Sequence, residues 1–107
     1  MDYQAFLNNE LSKAADDQEE LQLFTVHYHQ AILAALQELK LCSHCATLDL
    51  TGLRAGANSL QQESFVNVAQ LMQTFKKRLR DLRLLCPACR TAFQQQILVR
   101  FFEIRQR

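Results

Sequence analysis

The chain has 107 residues, 49% of them hydrophobic, which is typical of one globular domain spanning residues 1–107. Two glycines and one proline favour helix over turn-rich β-structure, and no apolar run is long enough to cross a membrane. The start of the chain lacks the basic and apolar segments of an export signal, which predicts an intracellular protein of the cytoplasm or nucleus. Charge is unevenly divided: residues 1–53 hold eight acids and two bases, and residues 54–107 hold ten bases and three acids.

The first part of the chain has the apolar periodicity of two helices. Apolar residues recur every three or four positions in residues 3–15, which predicts a short amphipathic helix. Asp16 and Asp17 are typical of a helix start, because aspartate caps helix N-termini. We therefore predict a break at this pair and a second helix over residues 18–41, whose apolar face leads to Cys42. The alternative is one continuous helix, since no glycine or proline separates the two segments.

A third, longer helix is predicted after a loop. Both glycines lie in residues 46–60, which we interpret as a loop with at most a short helical turn, and Ser59 with Gln62 fits a capping box for the next helix. That helix, over residues 60–85, has the most regular pattern in the chain. Its apolar positions alternate spacings of three and four: Phe65, Val68, Met72, Phe75, Leu79, Leu82 and Cys86. Such a seam either packs within one chain or forms a homodimeric coiled coil.

The fourth helix is predicted to begin at Pro87, because proline suits the first helical turn, where its missing N–H costs nothing. Helices two and three would both approach the cysteines by their C-terminal ends, and helix four would leave them antiparallel to helix three. These elements predict an all-α fold, a helical bundle of about four helices clasped at one end by a metal site.

All four cysteines belong to two C-x-x-C motifs, which we call knuckles, separated by 40 residues: Cys42, Cys45, Cys86 and Cys89. Two knuckles supply the four thiolates of a closed tetrahedral site, so we predict one structural Zn²⁺. Disulfide or redox chemistry and an iron–sulfur cluster are the alternatives. No histidine is predicted to be a ligand, since His27 and His29 point to different faces of a helix and His44 serves as a spacer.

Two surfaces are candidates for partner binding. A basic run typical of a nucleic-acid footprint continues from the third helix past the second knuckle: Lys76, Lys77, Arg80, Arg83 and Arg90. The same run is also consistent with a solvated face that offsets the charge of the thiolates and of the acidic half. Near the C-terminus, Leu98, Phe101 and Phe102 provide more apolar surface than a small core requires, which predicts a protein contact.

The cysteine layout, with its closing helix, resembles the zinc-finger-associated domains of insect transcription factors. The resemblance implies zinc ligation by the four cysteines and homodimerisation within DNA-binding regulators. It is limited to spacing, because this chain has 41 residues before the first knuckle and Ser43 where those domains usually carry arginine.

The motifs of common enzymes are missing from the sequence, which has no Gly-rich phosphate loop and no nucleophile elbow. A shell of four thiolates also leaves no open position for a substrate, so we expect a non-enzyme. The sequence predicts a zinc-binding helical adaptor that presents a rigid surface to a protein partner, within a regulatory assembly. The alternative prediction is a direct DNA- or RNA-binding transcriptional regulator that uses the basic face of residues 76–90. We expect no membrane association, and the sequence is compatible with a monomer or a homodimer.

Overall fold

The structure, a computed structural model, describes residues 2–106 and is all-α in that range, with no β-strand. Its α-helices, numbered in chain order, are α1 (Tyr3–Ala14), α2 (Gln18–Gln37), α3 (Thr51–Ser59), α4 (Val68–Arg78) and α5 (Pro87–Arg105). Short 3₁₀ segments occupy Cys45–Thr47, Leu60–Gln62 and Arg80–Leu84. The predicted all-α bundle is confirmed. Across the part of the chain that the structure describes, no helix is long and apolar enough to cross a membrane.

The break between α1 and α2 lies where the aspartate pair predicts it. The carboxylate of Asp17 accepts hydrogen bonds from the backbone N–H groups of Glu19 and Glu20 at 3.0 and 3.3 Å. These bonds satisfy donors that the start of a helix leaves without intrahelical partners. The break allows α1 to fold back on the bundle, where the side chain of Phe6 is completely buried.

The centre of the bundle is the antiparallel pair of α2 and α5. At one end of the pair the ring of Phe24 lies 5.5 Å from that of Phe101. At the other end Ala35 and Phe93 line the same groove. Helix α1 covers the first end, with the Phe6 ring 5.0 Å from the Phe101 ring. Burial of these aromatic rings stabilises the packing of the pair.

Helix α2 ends at Gln37, four residues before the predicted end at Leu41. Residues 39–41 are irregular, and they lead the chain across to α5. There the backbone N–H of Cys42 donates to the sulfur of Cys89 at 3.4 Å. The helix therefore ends early because the first knuckle has to reach the second.

The helix predicted over residues 60–85 is interrupted. Helix α4 begins after Asn67, whose side chain accepts the N–H of Gln70 at 2.8 Å, while the side chain of Gln70 accepts the N–H of Val66 at 2.9 Å. This pair acts in place of the predicted capping box, because the hydroxyl of Ser59 donates to the carbonyl of Gly56 instead. The apolar seam still packs within the chain, with its most buried members being Phe65, Phe75 and Leu79.

The segment predicted as a loop contains α3, and both glycines lie inside this helix. A Cβ atom at Gly56 would overlap the backbone carbonyl oxygen of Arg78, and a Cβ atom at Gly52 would overlap the carboxylate of Asp81. The glycines therefore let α3 lie directly against residues 78–81. Leu53, on the same helix, is fully buried in the core.

Candidate metal centre

The four cysteine sulfurs form one cluster, in which all Sγ atoms lie within 4.8 Å of one another. Cys42 and Cys45 follow α2, whereas Cys86 and Cys89 stand at the start of α5. All four are free thiols. Sulfur atoms at these separations can ligate a single ion, so the fold brings all four cysteines predicted from the sequence to one site.

The two knuckles have the same local structure. The N–H of Cys45 donates to the sulfur of Cys42, and the N–H of Cys89 donates to the sulfur of Cys86, both at 3.4 Å. One residue further on, the carbonyls of Cys42 and Cys86 each accept a backbone N–H at 2.9 Å. Each C-x-x-C motif therefore curls its backbone around its own first sulfur.

Hydrogen bonds between the knuckles close a ring. The N–H of Cys86 donates to the sulfur of Cys45 at 3.2 Å, and the N–H of Cys42 donates to the sulfur of Cys89 at 3.4 Å. Each cysteine thus gives one N–H and each sulfur accepts one. The ring has approximate twofold symmetry, since exchanging the knuckles reproduces the same four bonds. Four N–H dipoles directed at four sulfurs favour the charged thiolate form.

Burial follows the same symmetry. The second cysteine of each knuckle faces the core, with Cys45 0% and Cys89 5% exposed, whereas Cys42 is exposed and Cys86 partly so. The cluster therefore lies at the edge of the core. It joins the connection that follows α2 to the first turn of α5.

The metal-free thiols differ in their proton affinity. Hydrogen bonds from the backbone N–H of Cys45 and from the thiol of Cys89 lower the pKa of the Cys42 thiol to about 6. At Cys45 the N–H of Cys86 favours the thiolate, but burial and the neighbouring thiols outweigh it and raise the pKa to about 12. The pKa of Cys89 is also raised, because burial and the thiols of Cys86 and Cys42 outweigh the N–H of Cys42. A bound cation would favour the thiolate at every position.

Helix α5 starts at the metal centre, as its proline predicts. Cys86 is the N-cap, and its sulfur accepts the N–H of Cys89 where serine or aspartate would usually act. Pro87 follows in the first turn. The positive end of the helix dipole therefore points at the cluster and favours thiolates there.

Arg90, predicted as part of the basic surface, supports the second knuckle instead. Its guanidinium donates to the backbone carbonyls of Arg83 and Leu85 at 3.2 and 3.1 Å. These bonds hold the chain that enters Cys86. The sequence gives no direct signal for this role, because it depends on the turn between Leu85 and α5.

The three histidines lie outside the cysteine cluster. His44 is exposed between the cysteines of the first knuckle, and the ring of His27 packs edge-on against Phe101. The Nε2 atom of buried His29 lies 3.0 Å from the carbonyl oxygen of Ala57, so this ring ties α2 to α3. Within residues 2–106 the only group of potential ligands close enough to share one ion is the four cysteines.

The two predicted partner surfaces are placed differently. Phe101 is 1% exposed and belongs to the core rather than to a surface, because α5 is covered there by α1 and α2. Leu98 and Phe102 are partly exposed and lie on one face of α5 with Val99, which is 45% exposed. The remaining members of the basic run are all exposed: Lys76, Lys77, Arg80 and Arg83.

Comparison with known proteins finds no match to this chain. No protein-family model, no curated protein and no solved structure matches the chain. The functional argument therefore depends on the residues themselves, and foremost on a helical bundle that carries four cysteines compatible with one metal ion.

Proposed function

We propose that this protein is a non-catalytic interaction module whose helices are held in place by one structural Zn²⁺, bound by Cys42, Cys45, Cys86 and Cys89. The single observation that carries the proposal is the closed ring of four cysteines at the edge of the core. The ring joins the connection that follows α2 to the first turn of α5, so a metal bound there would hold together one end of the chain's central helix pair.

The sulfur geometry supports zinc. Zn–S bonds of about 2.3 Å in a tetrahedron separate the sulfurs by about 3.8 Å. The Sγ atoms of Cys42 and Cys86 are 3.8 Å apart, and all four sulfurs are within 4.8 Å of one another. A small contraction around the ion would complete the tetrahedron.

A structural role follows from the number of ligands. Catalytic zinc keeps a position open for water or substrate, whereas four protein ligands fill the tetrahedral shell. A domain of this size has a limited core, and a metal is a common supplement. We therefore assign the metal to stability and the function to surfaces that the fold presents.

The surface that best fits a protein partner is the exposed apolar face of α5, formed by Leu98, Val99 and Phe102. Val99 is 45% exposed, and the ring of Phe102 is fixed by an edge contact with Phe6 at 5.6 Å between centroids. An apolar face that is already ordered loses little side-chain entropy on binding. This face lies on the helix that starts at the metal centre, so zinc binding would also position it.

The interaction is tested with a charge placed at Val99, the most exposed residue of this face. We expect Val99→Glu to abolish enrichment of one specific protein by the tagged full chain, since burial of a carboxylate in an apolar interface is unfavourable. The measurement is quantitative mass spectrometry of co-purified proteins, compared between wild type and variant at equal expression and equal zinc content.

The matched control is Val26→Glu. Val26 is 51% exposed on α2, so the same substitution changes the same charge at another surface. The specific protein should remain enriched with this variant. Identical sets of co-purified proteins for wild type and Val99→Glu would contradict the proposed interaction surface.

A further inference from the structure

We infer that a second surface, the basic segment formed by Lys76, Lys77, Arg80 and Arg83, binds the phosphate backbone of a double-stranded nucleic acid. This inference goes beyond the proposed protein contact and uses a different face of the molecule. It rests on how the fold distributes its ion pairs.

Two acids of the first half of the chain form ion pairs, and both do so away from the basic segment. Glu38 pairs with Arg100 at 2.5 Å and Glu10 pairs with Arg105 at 2.6 Å, so both acids bind cations of α5. Arg78, inside the basic run, pairs with Glu63 at 2.9 Å. The ion pairs that these two acids make with arginines are therefore with α5 and not with residues 76–83.

The four cations of the basic segment remain without such partners. Among residues 2–106, no carboxylate lies within 4.0 Å of Lys76, Lys77, Arg80 or Arg83, and all four are exposed. The one acid within the segment, Asp81, is partly buried and lies against Gly52 of α3. The surface therefore presents positive charge that the chain itself does not neutralise.

The backbone beneath these side chains is held firmly. Arg80 and Arg83 are three residues apart in a 3₁₀ segment, in which side chains at this spacing are eclipsed and point to the same side. The carbonyl of Arg83 is bound by Arg90, and the close approach of α3 fixes residues 78–81. A backbone held in this way presents Arg80 and Arg83 on the same side of the segment, where both can reach one strand of phosphates.

The chemistry of the segment indicates phosphates rather than bases. Residues 76–83 contain no aromatic side chain that could stack on an unpaired base. Lysine and arginine contact phosphate oxygens without reading the sequence. Favourable interaction with the C-terminal dipole of α4 accounts for Lys76 and Lys77, which lie in its last turn, but Arg80 and Arg83 lie beyond that helix.

The test is fluorescence anisotropy of a labelled DNA duplex, titrated with zinc-loaded full-length protein at several salt concentrations between about 50 and 200 mM. Each neutralised phosphate contributes roughly −0.9 to the slope of log K against log salt, so four contacts predict a slope of about −3.6. We expect the double variant Lys76→Gln, Arg80→Gln to reduce the magnitude of this slope by about 1.8 and to weaken binding at least tenfold at the lowest salt.

The matched control is Lys40→Gln, Arg54→Gln. These two residues are also exposed and, among residues 2–106, have no carboxylate within 4.0 Å. Removing the same charge there should leave the slope unchanged. Equal losses for both double variants would overturn the inference, because the effect would then be one of net charge.

Absence of binding to duplex DNA, and to duplex RNA of the same sequence, at the lowest salt would also overturn it. This result would not affect the proposed protein interaction, because that interaction uses the exposed face of α5 and not the basic segment. The glutamine variants should keep wild-type zinc content, melting temperature and enrichment of the protein partner, because none of the changed side chains contacts the metal centre or the exposed face of α5.

Discussion

At the scale of single residues, the four cysteines are equivalent in hydrogen bonding but not in protonation. Near neutral pH, Cys42 is a thiolate because its pKa is about 6, whereas the raised pKa values of Cys45 and Cys89 keep these thiols protonated. Zinc binds thiolates, so binding must displace the remaining protons.

We therefore predict that zinc binding near neutral pH releases at least two protons per ion, from Cys45 and Cys89. The sign of the pH effect follows: groups that must lose a proton bind metal more weakly as pH falls. Below about 6, Cys42 also becomes protonated, and the number released should rise by one. Isothermal calorimetry in buffers of different ionisation enthalpy measures this number.

The control for proton release is a variant that lacks one of the four cysteine ligands. Cys42→Ser and Cys45→Ser should each lose tight zinc binding, as is expected for Cys86→Ser, and with it the release of protons, because each removes one of the four ligands. A wild-type release of fewer than two protons would contradict the protonation states described here.

The identity of the cysteines could be predicted because knuckle spacing is a local property of the chain. The contacts of individual side chains on α5 could not be predicted in the same way. Arg90 falls within a run of basic residues, yet it bonds backbone carbonyls of Arg83 and Leu85. Phe101 falls beside Phe102, yet only Phe101 is fully buried. Both outcomes depend on which neighbouring element covers each side of α5.

At the scale of secondary-structure elements, the contact of α3 with residues 78–81 depends on two glycines. Glycine in a helix is less favourable than alanine by about 1 kcal/mol, so a glycine retained there needs a packing reason. At Gly56 that reason is the carbonyl oxygen of Arg78, which occupies the space of a Cβ atom.

We predict that Gly56→Ala destabilises the protein by about 1–3 kcal/mol, in spite of the helix propensity of alanine, because a backbone carbonyl cannot rotate away. Gly52→Ala should cost less, since the atom it meets belongs to the side chain of Asp81, which can move. Urea unfolding of the zinc-loaded protein measures both changes. An increase in stability of about 1 kcal/mol for Gly56→Ala would show that α3 does not approach so closely.

Helix starts were predictable where a side chain caps them locally, as at Asp17. The start of α4 carries the same kind of signal in Asn67 and Gln70, which sequence analysis missed because Ser59 and Gln62 lie nearer the glycines. The end of α2 at Gln37 has no local signal, since it is set by the distance to the second knuckle. Two glycines in residues 46–60 predict a loop rather than the helix α3, because the sequence does not show that they allow this helix to lie against residues 78–81.

At the scale of the whole molecule, two ion pairs join the acidic first half of the chain to the basic second half. The carboxylate of Glu10 on α1, only 6% exposed, binds Arg105 near the end of α5, and Glu38 after α2 binds Arg100. The Glu10–Arg105 pair lies at the C-terminal end of α5, whereas Glu38 lies with the cysteine ring beyond the C-terminal end of α2. The exposed cations of the basic segment take part in none of the ion pairs among residues 2–106, which is why we assign the segment to an external partner.

The most direct test of the account is native mass spectrometry of the full-length protein purified without added metal, with Cys86→Ser as the comparison. We predict one zinc ion per chain in a monomeric species for wild type. Cys86→Ser should lose the metal and the cooperative thermal transition, because metal affinity and folding free energy are coupled in such sites. A metal-free wild type whose mass is lowered by the hydrogens of two disulfides, or a Cys86→Ser variant that melts like wild type, would contradict the structural zinc.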